Sequence, residues 1–144
     1  MNPRNRRVVD LANIEQNMKT ICSVLPEKVR AMAVVKADGY GHGAVRPAKA
    51  AISHGASMLA VASVQEGIGR NAGIRIPVLV LGAVTAYDVK KGVEYDLIQT
   101  VCSPNMVKMC ESAAEDLQKQ TEVHSKIDTG MGRIGVRKEA ERDE

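Results

Sequence analysis

A glycine-rich segment directly after an apolar run is the first place where this sequence could carry chemistry. Val34–Gly43 reads VVKADGYGHG, so Lys36 ends an apolar run and three glycines follow it. A lysine at the carboxyl end of a parallel strand can be partly desolvated, which lowers its pKa and frees the neutral amine. A neutral lysine forms Schiff bases with aldehydes, including pyridoxal phosphate. The alternative is a strand-end lysine that reaches solvent, which spacing alone favours.

The other residues of this segment have less specific chemistry. Tyr40 could donate its hydroxyl to a phosphate or could simply pack. His42 has no second histidine or cysteine at metal-binding spacing, so we expect no metal site and favour a capping or surface role. The glycines form neither GxGxxG nor a P-loop, which gives dinucleotide or nucleoside triphosphate binding little support.

A second cluster, VHSKIDTGMGRIG, occupies Val123–Gly135. Strand alternation would place His124 and Lys126 on one face, and a lysine buried there needs a partner. Arg133 follows a glycine-flanked turn, where a fixed guanidinium can meet a carboxylate or phenolate. The alternative is a structural ion-pair network that joins Asp128 to Arg133.

The elements that must position these clusters alternate along the chain. Five apolar runs predict strands, namely Ala31–Lys36, Met58–Ala62, Pro77–Leu81, Leu97–Thr100 and Glu122–Asp128. Helical stripes predict helices over Leu11–Leu25, Ala44–Ile52, Val64–Ala72 and Met106–Leu117, the last opened by Ser103 before Pro104. Repeated βα units predict a parallel sheet, either open with five strands or part of a (β/α)8 barrel, which takes about 250 residues.

Composition limits the possible partners. The 144 residues carry a net charge of +3, and the 2% of aromatic residues are all tyrosine, so we expect no nucleic acid partner. The longest apolar stretch, Ile76–Val84, is too short to span a membrane. Three cysteines without CxxC spacing predict free thiols in a reducing cytoplasm. The charged end, Arg137–Glu144, predicts a solvated helix surface or a frayed tail.

Taken together, the two clusters resemble the two N-terminal signatures of the alanine racemase family. They stand about ninety residues apart in the right order, and the intervening segments LAVASVQEGIGR (Leu59–Arg70) and PVLVLG (Pro77–Gly82) also resemble that family. The resemblance implies an N-terminal (β/α)8 barrel, a C-terminal β domain, pyridoxal phosphate as cofactor and a cytoplasmic homodimer. The implied activity interconverts L- and D-alanine for peptidoglycan.

The resemblance also implies roles for individual residues. Lys36 would hold the cofactor covalently and act as the catalytic base on one face of the substrate. Tyr40 would contact the cofactor phosphate. Arg133 would bind the cofactor phenolate oxygen and lie near the substrate carboxylate. Lys126 would be the lysine that is often carbamylated, a change from cation to anion that would let it hold Arg133 in place.

The length departs from the family. Residues 1–144 are expected to form the N-terminal part of the barrel, about five of eight βα units, with the remaining units and the C-terminal β domain absent. The second base, a tyrosine of that domain, has no counterpart, because Tyr87 and Tyr95 lie in the wrong region. We therefore expect a chain inactive by itself. The alternatives are a non-catalytic module that binds pyridoxal phosphate, an inactive remnant, and a racemase for serine or a broader set of amino acids.

Overall fold

The computed structural model describes residues 7–70 and 73–137, which form one parallel sheet with helices between the strands. The strands are β1 (Ala31–Val34), β2 (Ala56–Val61), β3 (Val78–Val80), β4 (Ile98–Val101) and β5 (Val123–Ser125). The helical segments are α1 (Leu11–Val24), α2 (Lys36–Tyr40), α3 (Val45–Ser53), α4 (Val64–Arg70), α5 (Ala86–Glu94) and α6 (Pro104–Leu117).

The strands follow one another across the sheet in chain order, and every neighbouring pair is parallel. This arrangement confirms the predicted βα alternation, and each of the five predicted runs overlaps one strand. Strands in chain order, joined by helical crossovers, are the arrangement of a (β/α) barrel. β1 and β5 are therefore the two edges of the described sheet.

The two faces of the sheet bury different side chains. On the helix side, alternate strand residues such as Leu59, Val61 and Val80 pack with residues of α3 and α4 in the largest apolar cluster. On the opposite face, strand residues alone form a smaller cluster around Ala60 and Leu79. We call this second side the inner face, because it corresponds to the interior of a (β/α) barrel.

The helix boundaries follow from local signals in the sequence. The predicted start of α6 is confirmed, because the Ser103 hydroxyl accepts a hydrogen bond from the backbone N–H of Met106 and Pro104 is the first helical residue. Gly55, one residue past the C-cap of α3, has the positive φ of 112° that a glycine after a helix end allows.

The strand bounds differ from the sequence expectations, most clearly at the two edge strands, and one helix was not predicted. The strand predicted over Ala31–Lys36 ends at Val34, and the one predicted over Glu122–Asp128 is shortened to Val123–Ser125. The helix α5 has no predicted counterpart. Its Gly92 weakens the helical pattern, and the structure explains the glycine, since a Cβ there would lie 2.7 Å from Cδ of Gln99. Ala72 and the charged tail beyond Arg137 lie outside the described residues.

Candidate active site

The backbone directly after β1 turns in the left-handed sense. Ala37, Asp38, Gly39 and Tyr40 have φ values of 49°, 52°, 61° and 53°. For a residue other than glycine, this conformation costs roughly 1–2 kcal/mol. Such backbone persists only where the surroundings hold it, and it is concentrated at functional sites. The segment that sequence analysis identified by its glycines is therefore a strained turn, which we call the Lys36 turn and define as Lys36–Ala44.

Two carboxylates hold the Lys36 turn. Glu66 of α4 accepts a hydrogen bond from the backbone N–H of Ala37 at 2.9 Å and another from Ala62, after β2, also at 2.9 Å. Within the turn, Oδ1 of Asp38 accepts from the backbone N–H of Ala44 at 2.9 Å. The turn is thus bonded both to itself and to the next βα unit.

Lys36 stands at the carboxyl end of β1. Val35, which follows the strand, is buried in the helix-side core, and Lys36 is the first residue of α2. The lysine is half-buried, and its Nζ lies 5.9 Å from the centroid of the Tyr40 ring. Tyr40 itself is 60% exposed. The lysine amine and the tyrosine ring therefore lie next to each other on the turn that follows β1.

The second cluster forms another turn at the same end of the sheet. After β5, Lys126 donates its backbone N–H to the carbonyl of Val101 at 2.9 Å, and its own carbonyl accepts from the N–H of Val136 at 2.9 Å. The returning chain is further fixed by a parallel bridge between Ile127 and Val136. We call Lys126–Arg137 the Arg133 turn. Its Lys126 side chain is half-buried, whereas Arg133 is exposed.

Asp128 organises the Arg133 turn. Its side chain is only 2% exposed; its carboxylate accepts from the backbone N–H groups of Gly130 and Gly132 at 3.0 Å and from Nε of Arg137 at 2.7 Å. The hydrogen bonds from Gly132 and Gly130, followed by that from Arg137, hold the pKa of this carboxyl well below its usual range.

The alternative interpretation, an ion pair between Asp128 and Arg133, is wrong, because the partner of Asp128 is Arg137. The physical reason lies in the backbone: the Asp128 N–H donates to the carbonyl of Val136, which brings the following residue beside the carboxylate. Arg133 instead lines an open cavity of about 520 Å³ together with Ala83 and Cys102. Its guanidinium has no ion pair or hydrogen bond within the described residues, and it is available to a ligand.

The two turns lie at the same end of the sheet but at opposite edges. β1 and β5 are four strand spacings apart, about 19 Å measured along the sheet. Lys36 and Arg133 therefore do not touch in the part of the chain that the structure describes. Tyr87 and Tyr95 belong to α5 and its C-cap, a helix that packs on the helix side of the sheet, away from the inner face.

Within residues 7–70 and 73–137, no helix is both long and apolar enough to cross a membrane. No group of three or more histidine, cysteine, aspartate or glutamate side chains in those ranges could hold a metal ion.

The geometry defines a (β/α) barrel protein with an amine on a strained turn at the end of its first strand. The chain belongs to the alanine racemase family, because residues 9–144 match the family model described as the alanine racemase N-terminal domain.

Individual relatives agree with this assignment. Alanine racemase 1 of Oceanobacillus iheyensis is 43% identical over 134 residues, which cover 92% of this chain and 36% of that protein. Alanine racemase 2 of Bacillus subtilis is 44% identical over 139 residues, 92% of this chain and 34% of that protein.

Solved structures show the same fold. An alanine racemase from E. faecalis matches with a TM-score of 0.80 and 41% identity, over 89% of this chain and 35% of that one. The alanine racemase from Streptomyces coelicolor A3(2) matches with a TM-score of 0.85 and 31% identity, over 92% of this chain and 36% of that one. The chain thus spans about a third of the length of the relatives it matches.

Sequence reasoning did not identify Glu66 and Asp128 as the residues that hold the two turns. For Glu66 a signal was present: Ser63 and Glu66 form an S-x-x-E pattern, which marks a helix start. The pattern predicts a cap for α4, but nothing in it predicts a hydrogen bond to Ala37, 29 residues away.

Proposed function

We propose that this chain forms part of the pyridoxal phosphate site of an alanine racemase, which interconverts L- and D-alanine. The observation that carries the proposal is the half-buried Lys36, held at the carboxyl end of β1 by a strained turn, in a chain of this family. Active sites of (β/α) barrels lie at this end of the strands.

The residues present fit the proposed cofactor. Lys36 offers a primary amine to the aldehyde, and Tyr40, beside it on the same turn, offers a hydroxyl to the phosphate. Arg133 faces open space with its guanidinium free among the described residues, so it could meet the phenolate oxygen and the substrate carboxylate. When bound, pyridoxal phosphate supplies an electron-withdrawing ring that stabilises negative charge at the substrate Cα.

The chain's own residues would then orient the substrate and move protons. We propose that the Lys36 amine removes or returns the proton at Cα on one face of the substrate. Lys126, half-buried and close in sequence to Arg133, would carry a carbamate: its ammonium loses one proton, the free Nζ amine bonds to the carbon of carbon dioxide, and a second proton leaves the nitrogen. That change replaces a cation by an anion and removes the repulsion between Lys126 and Arg133.

Reductive trapping tests the cofactor site. The purified chain is incubated with pyridoxal phosphate, reduced with borohydride and mapped by peptide mass spectrometry. We expect the label on Lys36, with Lys36→Ala unlabelled at that peptide. The matched control is Lys49→Ala on the exposed surface of α3, which should label Lys36 as the unmodified chain does. Recovery of only unmodified Lys36 peptide would contradict the proposal and favour an inactive remnant.

Turnover is a separate question. Tyr87 and Tyr95 lie on the helix side, and Tyr40 shares the turn of Lys36, so the described residues place no tyrosine opposite Lys36. We therefore expect cofactor binding without useful D-alanine formation by this chain alone. Robust racemisation that Lys36→Ala abolishes would show that the chain contains both bases.

The substrate and the setting are also part of the proposal. We take alanine as the substrate, D-alanine for peptidoglycan as the product's use, and a homodimer as the active form, following the family. Serine is the alternative substrate; parallel assays with L-alanine and L-serine on an active form distinguish the two. The thiols of Cys22, Cys102 and Cys110 are free, in keeping with a reducing cytoplasm.

A further inference from the structure

We infer that Glu66 is a positioning residue for Lys36: its carboxylate holds the Lys36 turn in the left-handed conformation that aims the lysine amine at the cofactor aldehyde. The inference rests on the function proposed above. It assigns to this site a residue that lies 30 positions away in the sequence and belongs to a different βα unit.

The position of the hydrogen bond is the first argument. Oε1 of Glu66 accepts from the N–H of Ala37 at 2.9 Å, so it holds the peptide group that joins Lys36 to Ala37. Rotation of that peptide group would change the direction of the Lys36 side chain. A charged acceptor makes such a bond roughly twice as strong as a neutral one.

The second argument is the strain at the same residue. Ala37 has φ 49° and ψ 49°, and its Cβ makes this conformation unfavourable without an external partner. The bonds within the turn, such as those from Gly39 and Gly41 to the carbonyls of Val35 and Ala37, do not involve the Ala37 N–H. Glu66 therefore supplies the bond that ties the strained residue to the rest of the sheet.

The third argument is that the Glu66 carboxylate does more than cap its own helix. In a capping box, the glutamate side chain returns to the backbone N–H of the N-cap residue, which here is Ser63. The two oxygens of Glu66 accept from Ala62 and Ala37 instead. One carboxylate thus ties the residue after β2 to the residue after Lys36.

The test combines Glu66→Gln with Ala37→Gly in the full chain. Gln keeps the size of the side chain but replaces one acceptor oxygen with a donor. We expect Glu66→Gln to slow pyridoxal phosphate capture at Lys36 by about tenfold, the lower end of the effect of losing a hydrogen bond to a charged group. Glycine adopts the left-handed conformation without strain, so Ala37→Gly added to Glu66→Gln should restore capture by about threefold or more.

The controls separate positioning from helix capping. Glu111→Gln, on the exposed surface of α6, should capture the cofactor as the unmodified chain does. Amide hydrogen exchange provides a readout that needs no cofactor: Glu66→Gln should speed exchange of the Ala37 amide by about tenfold and leave the α4 amide of Ile68 nearly unchanged.

Each outcome decides the inference. Unchanged Ala37 exchange, or Ile68 exchange that rises as much as that of Ala37, would overturn it, as would a loss of capture that Ala37→Gly does not restore. If the unmodified chain labels no Lys36 at all, the proposed function fails, and the exchange of Ala37 still decides whether Glu66 holds the turn.

Discussion

The Lys36 turn and the Arg133 turn lie at the same end of the sheet, yet they are supported in different ways. The Lys36 turn follows a strand whose neighbour β2 is largely buried, and it receives a carboxylate from the next βα unit. The Arg133 turn follows β5, in which all three residues are exposed, and its organising carboxylate, Asp128, belongs to the turn itself.

This difference shows that two turns at the same end of one sheet can be stabilised in different ways. Packing between distant parts of the chain holds Val35, the residue before Lys36, in the core. In contrast, local hydrogen bonds and one bridge between Ile127 and Val136 stabilise the Arg133 turn after β5. An edge strand with neither face covered gains little from burial. The first turn should therefore depend on the core, and the second on Asp128.

The largest expected effect is on the free energy of unfolding, which should depend more on core packing next to the Lys36 turn than on packing at β5. Leu59 on β2 is fully buried in the cluster that also contains Val35, and Leu59→Ala should lower the free energy of unfolding by about 2–5 kcal/mol, because a cavity forms and apolar contacts are lost. Val123 on β5 is 37% exposed, so Val123→Ala should cost less than about 1 kcal/mol. Urea denaturation measures both.

A large loss for Val123→Ala would show that β5 is covered in solution by something outside the described residues. That result would weaken the contrast between the two regions. A small loss for Leu59→Ala would instead mean that the cluster around Val35 and Leu59 is not the support of the Lys36 turn.

The second prediction concerns the carboxylate of the Arg133 turn. Asp128→Asn removes the charge that accepts from Gly130, Gly132 and Arg137, so exchange of the Gly130 and Gly132 amides should rise by roughly tenfold. The amides of Gly41 and Gly43 in the Lys36 turn should exchange as before. Faster exchange in both turns would refute their independence.

The sequence predicted most of the fold and the location of both turns. Apolar runs predict strands and periodic apolar stripes predict helices, because each signal depends on local spacing. The helix α5 was not predicted, because Gly92 weakens its helical pattern. That glycine is required by close packing against Gln99, which is a tertiary requirement. The carboxylate contacts could not be read from the sequence. Glu66 reaches Ala37 only after two βα units have packed, and Asp128 meets Arg137 only because the chain returns alongside Ile127.

The third prediction is a dependence of stability on pH. The pKa of Asp128 is lowered in the folded chain, mainly by the backbone N–H groups of Gly132 and Gly130. A lowered pKa contributes its full stability above the unfolded value of about 3.9, and this contribution is lost progressively as the pH falls from there toward the lower folded value. Asp128→Asn should therefore lose less stability between pH 5 and pH 3 than the unmodified chain.

Urea denaturation across that pH range measures the effect, and Glu111→Gln on α6 corrects for the removal of one negative charge. Equal pH slopes for Asp128→Asn and Glu111→Gln would mean that the carboxylate is not held in solution as it is in the structure. The Arg133 turn could then no longer be contrasted with the Lys36 turn as one that is stabilised by its own carboxylate.

The smallest effect uses two thiols as reporters of the second turn. Cys102 is half-buried and lines the cavity of Arg133, whereas Cys110 is buried between α5 and α6, where burial raises the pKa of its thiol. Because the thiolate is the reactive form, an alkylating reagent should modify Cys102 well before Cys110.

Loosening the turn with Asp128→Asn should speed alkylation of Cys102 by about two- to threefold, as local opening exposes it, and leave Cys110 unchanged. Mass spectrometry of timed samples measures both rates; equal acceleration at the two cysteines would indicate global unfolding rather than a turn held by its own carboxylate.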